Sequence, residues 1–118
     1  QNVTGKHQLN TKQTMNHWTE RNNALHKTFE FSTFQEAIDW MVKASVHIAA
    51  LNHHPKWTNM YNTVTVELST HDEGNIVTEK DRKLAQYLDT FKGLYLEYKM
   101  VEVKYYAMLN KIGSFIFK

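Results

Sequence analysis

Residues 51–68 read LNHHPKWTNMYNTVTVEL, and within them the chain changes from a helical to a strand-like pattern. The apolar residues before this stretch recur every three or four positions, as in a helix with one buried face. Asn52 can end that helix in a left-handed conformation, and Pro55 disfavours helix at His54. Residues 60–68 alternate between apolar and polar side chains, so we predict a strand there. Whether this region contains a second strand stays open.

The predicted helix begins at a capping box. Ser32 is followed three residues later by Gln35, and the overlapping pair Thr33 and Glu36 has the same spacing. We therefore predict a helix over residues 33–51. Its predicted buried face consists of the side chains at helical spacing, which are Phe34, Ala37, Ile38, Met41, Val42, Ser45 and Ile48.

Upstream of this helix, the chain from Trp18 has the pattern of a β-hairpin. Asn22 and Asn23 are typical turn residues, and Leu25, Phe29 and Phe31 share one face of the strand that follows. Downstream, the sequence THDEGN predicts a turn. Thr78, with Asp81 three residues later, then predicts the start of a second helix. The apolar residues of that helix are Leu84, Ala85, Leu88 and Phe91.

The order of these elements predicts an α+β fold of two layers, an antiparallel sheet with helices on one face. The segment from Gly93 onward is ambiguous, because its apolar residues fit both a strand-like alternation and a 3–4 helical spacing. Its aromatic side chains must be buried against the domain or a second subunit. We therefore divide the chain into a domain at residues 1–91 and a C-terminal extension at residues 92–118.

Composition excludes several classes of function. A chain of 118 residues with 42% apolar residues forms one domain with one core. A formal charge of +2, without a long basic run, does not favour nucleic-acid binding. No apolar stretch approaches the roughly 18 residues of a membrane span, and the chain has no cysteine. We expect a cytoplasmic protein that acts on neither nucleic acid nor membrane.

Three of the seven histidines are candidates for acid–base chemistry, because imidazole has an unperturbed pKa near neutrality. His53 and His54 follow a predicted helix C-terminus, whose dipole favours imidazolium, so they are placed to donate protons. His71 follows the next predicted strand, where the chain can return toward the end of that helix. Three imidazoles at one pocket could transfer protons to and from a substrate.

Each of these residues also has a structural interpretation. Adjacent histidines often form a solvated helix stop, and His47 fits a solvated helical position. Trp57, Met60 and Tyr61 fit a core or an interface better than a ligand platform. Asp81 is explained as the partner of Thr78 in a capping box.

Metal, phosphate and nucleophile motifs are not found. A zinc site built from the histidines would lack both an HExxH motif and a cysteine pair. The sequence has neither GxGxxG nor a Walker pattern, and no serine lies in a GxSxG context.

Residues 52–72, NHHPKWTNMYNTVTVELSTHD, closely resemble the signature of the pterin-4a-carbinolamine dehydratases. A weaker resemblance extends over residues 7–89, where HQLNTKQ looks like the family's short N-terminal helix. The resemblance implies a four-stranded antiparallel sheet with helices on one face, in a protein that usually forms dimers or tetramers. The implied reaction removes water from 4a-hydroxytetrahydropterin to give quinonoid dihydropterin. This hydro-lyase step recycles the tetrahydrobiopterin-type cofactor of aromatic amino acid hydroxylases and needs no metal or organic cofactor.

The resemblance also implies which residues form the pterin site. After the helix, these are His53, His54 and Pro55. On the opposite wall, they are Thr70, His71, Asp72 and Glu73. As catalytic groups it implies His54 and His71 at the leaving hydroxyl and N5, with His53 orienting the ring or assisting. Which imidazole is the acid stays open.

Two departures keep other functions open. The family often carries Glu four residues before the first histidine, where this chain has Ala49. The turn between His71 and Asp81 is one residue longer than the family's usual turn. The alternatives are a pterin-binding protein without turnover, and a protein-binding module like the family members that act as dimerisation cofactors of a homeodomain transcription factor.

Overall fold

The computed structural model describes residues 17–116. The strands are β1 (Thr19–Arg21), β2 (Ala24–Glu30), β3 (Lys56–Met60) and β4 (Thr63–Leu68), and the helices are α1 (Phe34–Leu51) and α2 (Glu79–Ile116). The four strands form one antiparallel sheet in the order β1-β2-β4-β3. This confirms the predicted α+β class. The helix expected over residues 7–13 lies outside the described residues.

The hairpin of β1 and β2 is confirmed. Asn22 and Asn23 form its two-residue turn, with φ angles of 52° and 61°. Asparagine adopts this left-handed conformation more readily than most residues, which is why the pair suits a tight hairpin.

The strand predicted over residues 60–68 is β4, which begins only at Thr63, and the second strand that the pattern leaves open is β3. A turn at Tyr61 and Asn62 separates the two strands. Side chains around the turn bind its backbone. The Asn59 Nδ2 group donates to the carbonyls of Tyr61 and Thr63, at 3.1 and 2.9 Å. The Thr63 hydroxyl donates to the Met60 carbonyl at 2.8 Å. Such local hydrogen bonds hold Tyr61 at a φ of 50°, and the regular alternation continues across the turn.

Helix α1 starts and ends where the sequence predicts. The Thr33 hydroxyl accepts the Glu36 amide at 3.1 Å, while the Glu36 carboxylate accepts the Ser32 amide at 3.2 Å. The overlapping Thr33 and Glu36 therefore form the cap. At the other end, Asn52 has φ 53° and ψ 41°, the predicted left-handed cap.

The buried face of α1 differs from the prediction by about one residue of helix rotation. Its buried residues are Ala37, Trp40, Ala44 and Ile48, whereas Phe34, Val42 and Ser45 are exposed. The Trp40 indole determines the difference, because the largest side chain of the helix takes the centre of the core. Its ring centroid lies 4.8 to 6.4 Å from four aromatic rings, those of Phe29, Phe31, Trp57 and Phe91.

The core lies between the inner face of the sheet and the two helices. From β4 it takes Val64, Val66 and Leu68, and from α2 it takes Leu84, Ala85, Leu88 and Tyr95. Trp57 packs against this core, as predicted. Met60 and Tyr61 are 74% and 66% exposed, so the core position considered for them is wrong.

The C-terminal segment is helical, because α2 continues without interruption to Ile116. Its middle contacts the first turns of α1 through polar groups. The Tyr95 hydroxyl donates to Asp39 at 2.9 Å, and Lys43 pairs with the same carboxylate at 2.7 Å. Burial, together with this carboxylate, raises the pKa of Tyr95. The division of the chain at residue 91 stays a prediction.

Among residues 17–116, neither helix combines the length and the apolar composition that crossing a membrane requires.

Candidate active site

The ends of two helices and one strand meet at one edge of the helical layer and form a cleft. Helix α1 ends at Leu51, β4 ends at Leu68, and α2 begins at Glu79. A 3₁₀ turn, His71–Glu73, follows β4. The cleft has a volume of about 220 Å³ and is lined by Asn52, His53, His54, Ser69, Thr70, His71, Asp72 and Lys80.

Asp81 fixes one wall of this cleft from behind. Its side chain is fully buried, and its Oδ1 atom lies 2.7 Å from Nε2 of His53. The Oδ2 atom accepts the Thr70 hydroxyl at 2.7 Å and the Thr78 amide at 2.9 Å. One carboxylate therefore joins the segment after α1, the segment after β4 and the start of α2.

The ionisation state of Asp81 determines the tautomer of His53. Burial alone raises the pKa of this carboxyl, but the hydrogen bonds from the Thr78 amide, His53 and Thr70 more than offset it, so the pKa lies below its usual value. A carboxylate only accepts hydrogen bonds, so Nε2 of His53 carries the proton. Asp81 does not bind the other ring nitrogen of His53, Nδ1.

His71 is oriented by a different residue. Its Nδ1 atom lies 3.0 Å from Oδ1 of Asn75, an oxygen that can only accept. Nδ1 therefore donates, and in the neutral tautomer of this ring the lone pair is on Nε2. Asn75 has a φ of 60°, in the left-handed region that asparagine tolerates.

The structure brings five of the seven predicted site residues to the cleft: His53, His54, Thr70, His71 and Asp72. Thr70 is nearly fully buried, and its hydroxyl faces Asp81 and Thr78. Pro55 and Glu73 are neighbours of lining residues but do not line the cleft.

Sequence reasoning missed several residues of the site. Asp81 was assigned to capping, and it does accept the Thr78 amide, but a cap alone does not require the complete burial that it has. Asn52 was considered only as a helix cap. Lys80 could have been noticed beside Asp81 in the first turn of a helix that begins near the histidines. Asn75 gave no signal beyond its place in a turn.

His47 lies outside the cleft. It is exposed on α1, and its ring centroid lies 4.9 Å from that of Tyr87. In the part of the chain that the structure describes, no three His, Cys, Asp or Glu side chains are grouped so that they could hold a metal ion.

The fold and the cleft define a class of small α+β proteins with a histidine-lined site between two helix ends. The family model of the pterin 4 alpha carbinolamine dehydratases matches residues 2–91. The chain therefore belongs to this family, which confirms the resemblance of residues 52–72.

Two relatives show the extent of the similarity. A protein of Opitutus terrae with the provisional name pterin-4-alpha-carbinolamine dehydratase is 51% identical over 69 residues, which cover 58% of this chain and 71% of its own. A protein of Burkholderia pseudomallei with the same provisional name is 37% identical over 89 residues, which cover 74% of this chain and 87% of the relative.

Solved structures are similar as well. A transcriptional coactivator/pterin dehydratase from Brucella melitensis has a TM-score of 0.60 and 35% identity, covering 68% of this chain and 86% of its own. A pterin dehydratase-like protein described as a RuBisCO assembly factor in the alpha-carboxysome has a TM-score of 0.53 and 18% identity. The match covers 65% of this chain and 88% of that protein's chain. The second similarity concerns the fold alone.

Proposed function

We propose that this protein removes water from 4a-hydroxytetrahydropterin to give quinonoid dihydropterin. The observation that carries the proposal is the cleft, where His53, His54 and His71 lie together beside the buried Asp81. The reaction needs a proton for the leaving hydroxyl and a base for N5–H, and imidazoles supply both near neutral pH. The substrate class follows from the family.

The hydrogen bonds support separate roles for the three imidazoles. Nδ1 of His71 donates to Asn75, so Nε2 has the lone pair that can accept the N5 proton. His54 lines the cleft as an exposed side chain and, as imidazolium, would protonate the C4a hydroxyl, which leaves as water. As the C4a–O bond breaks, the N5–H electron pair forms the C4a=N5 double bond. His53, held by Asp81, positions the ring.

The other substrate contacts are proposed from their places around the cleft. Thr70 and Asp72 line the cleft, and Pro55 and Glu73 are adjacent in sequence to residues that line it. A volume of about 220 Å³ is below the roughly 300 Å³ at which pockets for drug-sized ligands begin, so it suits a bicyclic ring with its substituent directed outward.

We also propose the setting of the reaction. The protein would work in the cytoplasm, in the recycling of tetrahydrobiopterin or a related pterin, as a homodimer or homotetramer. Residues 1–91 would form the dehydratase-like domain, a division that the match of the family model over residues 2–91 supports.

A second candidate is a pterin-binding or protein-binding module without turnover. Ala49, exposed on the last turn of α1, favours it, because it removes the carboxylate that the family often has before the histidine pair. The Brucella melitensis structure is described as a transcriptional coactivator as well as a pterin dehydratase.

A dehydration assay on 4a-hydroxytetrahydropterin separates the two candidates. We expect wild-type turnover well above the uncatalysed rate. His54→Ala and His71→Ala should each lower kcat by about 100-fold or more, the usual contribution of a general acid or base. The matched control is His47→Ala, an exposed histidine outside the cleft, which should retain full activity.

The contrary outcomes are distinct. Wild-type turnover at the background rate, combined with binding of a non-reacting dihydropterin by fluorescence, would favour the binding module. Clear wild-type turnover with unaffected His54 and His71 variants would reject the residue roles while keeping the activity.

A further inference from the structure

The C-terminal part of α2 has a continuous apolar stripe exposed to solvent. Six residues are spaced alternately by four and three positions, and each is between 46% and 66% exposed. We name these residues the seam: Leu94, Tyr98, Val101, Tyr105, Met108 and Ile112. Apolar residues with this heptad spacing over three turns or more are typical of a helix that pairs with another helix.

The chain's own domain mainly uses a neighbouring side of the helix. Of the seam residues, Tyr98 borders this contact, because it lines the pocket with α1 and Lys43 Nζ lies 5.9 Å from its ring centroid. Tyr95 is buried against α1, and its hydroxyl donates to Asp39. Lys99 and Glu102 pair with each other at 2.8 Å on the same side. Helix positions advance by about 100° per residue, so the seam lies beside this contact, and its six residues are about half exposed within residues 17–116.

The helix also extends well past the domain. Glu102 is its last residue in the polar pocket formed with α1, and α2 continues to Ile116. At 1.5 Å per residue this leaves about 20 Å of helix beyond the pocket. An overhang of this length is only marginally stable as a helix without tertiary contacts, so a partner along it would stabilise it.

We propose that the seam pairs with the seam of a second copy of this chain, in antiparallel orientation. When the pair is centred near residue 103, each seam residue meets another seam residue. Leu94 packs on Ile112 of the partner subunit, Tyr98 on the partner's Met108, and Val101 on the partner's Tyr105. A tyrosine thus meets a smaller side chain in two of the layers, Leu94 meets Ile112 in the third, and no seam residue is left over.

Charge favours this orientation over the parallel one. In the antiparallel pair, Glu97 lies beside the partner's Lys111 at both ends of the seam. In a parallel pair, Glu97 would instead lie beside the partner's Glu102, which places like charges together twice. The antiparallel pair also brings Lys104 against the partner's Lys104 and Glu102 against the partner's Glu102. These are two exposed like-charge contacts of small energy, and the two Glu97 pairs with Lys111 oppose them.

The area is sufficient for a specific dimer. Tyr98 and Tyr105 are aromatic residues, which bury about 150–250 Å² each when fully enclosed. With roughly 100 Å² as an upper value for each half-exposed seam residue, complete burial sets the limit of the interface. The two copies together would bury up to about 1,200 Å², the lower end of the range for stable protein interfaces.

Two valines provide a matched test. Val101 lies in the seam and is 66% exposed, whereas Val103 lies on the far side of the helix and is 64% exposed. By sedimentation of the full chain, we expect Val101→Glu to halve the mass of the assembly or raise its dissociation constant by about tenfold or more. Val103→Glu should leave both unchanged. Both changes are at exposed positions, and circular dichroism checks that the helix is retained.

Cysteine cross-linking tests the orientation, since the chain has no cysteine of its own. Chains with Leu94→Cys, mixed with chains with Ile112→Cys, should form a disulfide-linked heterodimer, while neither variant alone should cross-link to itself. Self-linked Leu94→Cys or Ile112→Cys dimers would overturn the antiparallel arrangement. An assembly that survives Val101→Glu, dissociates with Val103→Glu, or uses the seam only for an unrelated protein would overturn the pairing itself.

Discussion

Two histidines of the cleft are fixed by different kinds of partner. His53 donates to a fully buried carboxylate, whereas His71 donates to the exposed turn residue Asn75. In both rings one nitrogen is held by a protein acceptor. The proposed chemistry therefore depends on residues that need not touch the pterin.

Asn75 is the residue whose positioning role is most easily tested. Asn75→Gly removes the amide but accepts the φ of 60°, so it removes the hydrogen bond without straining the turn. Losing one hydrogen bond worth about 1 kcal/mol should lower kcat by roughly three- to tenfold, with KM little changed.

The conservative variant Asn75→Asp keeps an acceptor and should recover most of the rate. Its carboxylate stabilises imidazolium, so the acidic limb of the kcat profile should move to higher pH. A kcat of Asn75→Gly equal to that of the wild type across the pH range would contradict the positioning role.

Helix α2 has two different parts. Its core residues end with Tyr95, and the exposed apolar residues of the seam begin at Leu94. Gly93 lies at this junction, inside the helix. Glycine is about 1 kcal/mol less favourable than alanine in a helix interior, so the junction is a weak point of the element.

Gly93→Ala should strengthen α2. A Cβ atom added there meets no heavy atom within 4 Å, so the methyl group fits without rearrangement. We expect a gain of about 0.5–1 kcal/mol in the free energy of unfolding, measured by urea titration. Gly74 is the matched control, because its φ of 90° makes Gly74→Ala destabilising even though its surroundings are also open. Destabilisation by Gly93→Ala would show that the junction is not a regular helix.

The cleft and the seam lie toward opposite ends of the helical layer. The cleft lies where α1 ends and α2 begins, and the seam runs from beside the first turns of α1 along the rest of α2. Asp81 connects three segments at the cleft end, which makes this one carboxylate important for stability as well as for the site.

Acid should weaken the whole fold through this carboxylate. The pKa of Asp81 is lower in the folded protein than the value of about 3.9 expected when unfolded, so its contribution is complete above that value and is lost as pH falls through the folded pKa. We expect the free energy of unfolding to decrease below about pH 4.

Asp81→Asn should flatten this pH dependence and lower stability at pH 7 by about 1–3 kcal/mol, since a buried hydrogen-bond network loses its acceptor. Asp72→Asn, at an exposed position, serves as the control with wild-type acid sensitivity. Equal acid sensitivity of wild type and Asp81→Asn, measured by urea unfolding at pH 2.5 to 6, would exclude Asp81 as the cause.

Local sequence signals were sufficient to predict turns and helix caps, where the backbone geometry favours a few residue types. The Asn22–Asn23 turn, the Thr33 cap and the Asn52 cap were each predictable, because backbone geometry and side-chain hydrogen bonds act within a few residues. The buried face of α1 was not, because Trp40 packs against rings from distant parts of the chain. The turn at Tyr61 was missed because alternation continues on both sides of it.

The sequence by itself determined the fold class, the order of most elements, the family and the three histidines, since periodicity, capping and the motif of residues 52–72 are local properties. Only the tertiary structure decided that Asp81 is buried against His53, that Asn75 orients His71, and that the C-terminal segment is a helix with an exposed seam. These features depend on which segments meet in space, and a buried carboxylate or an uncovered helix face has no signature along the chain.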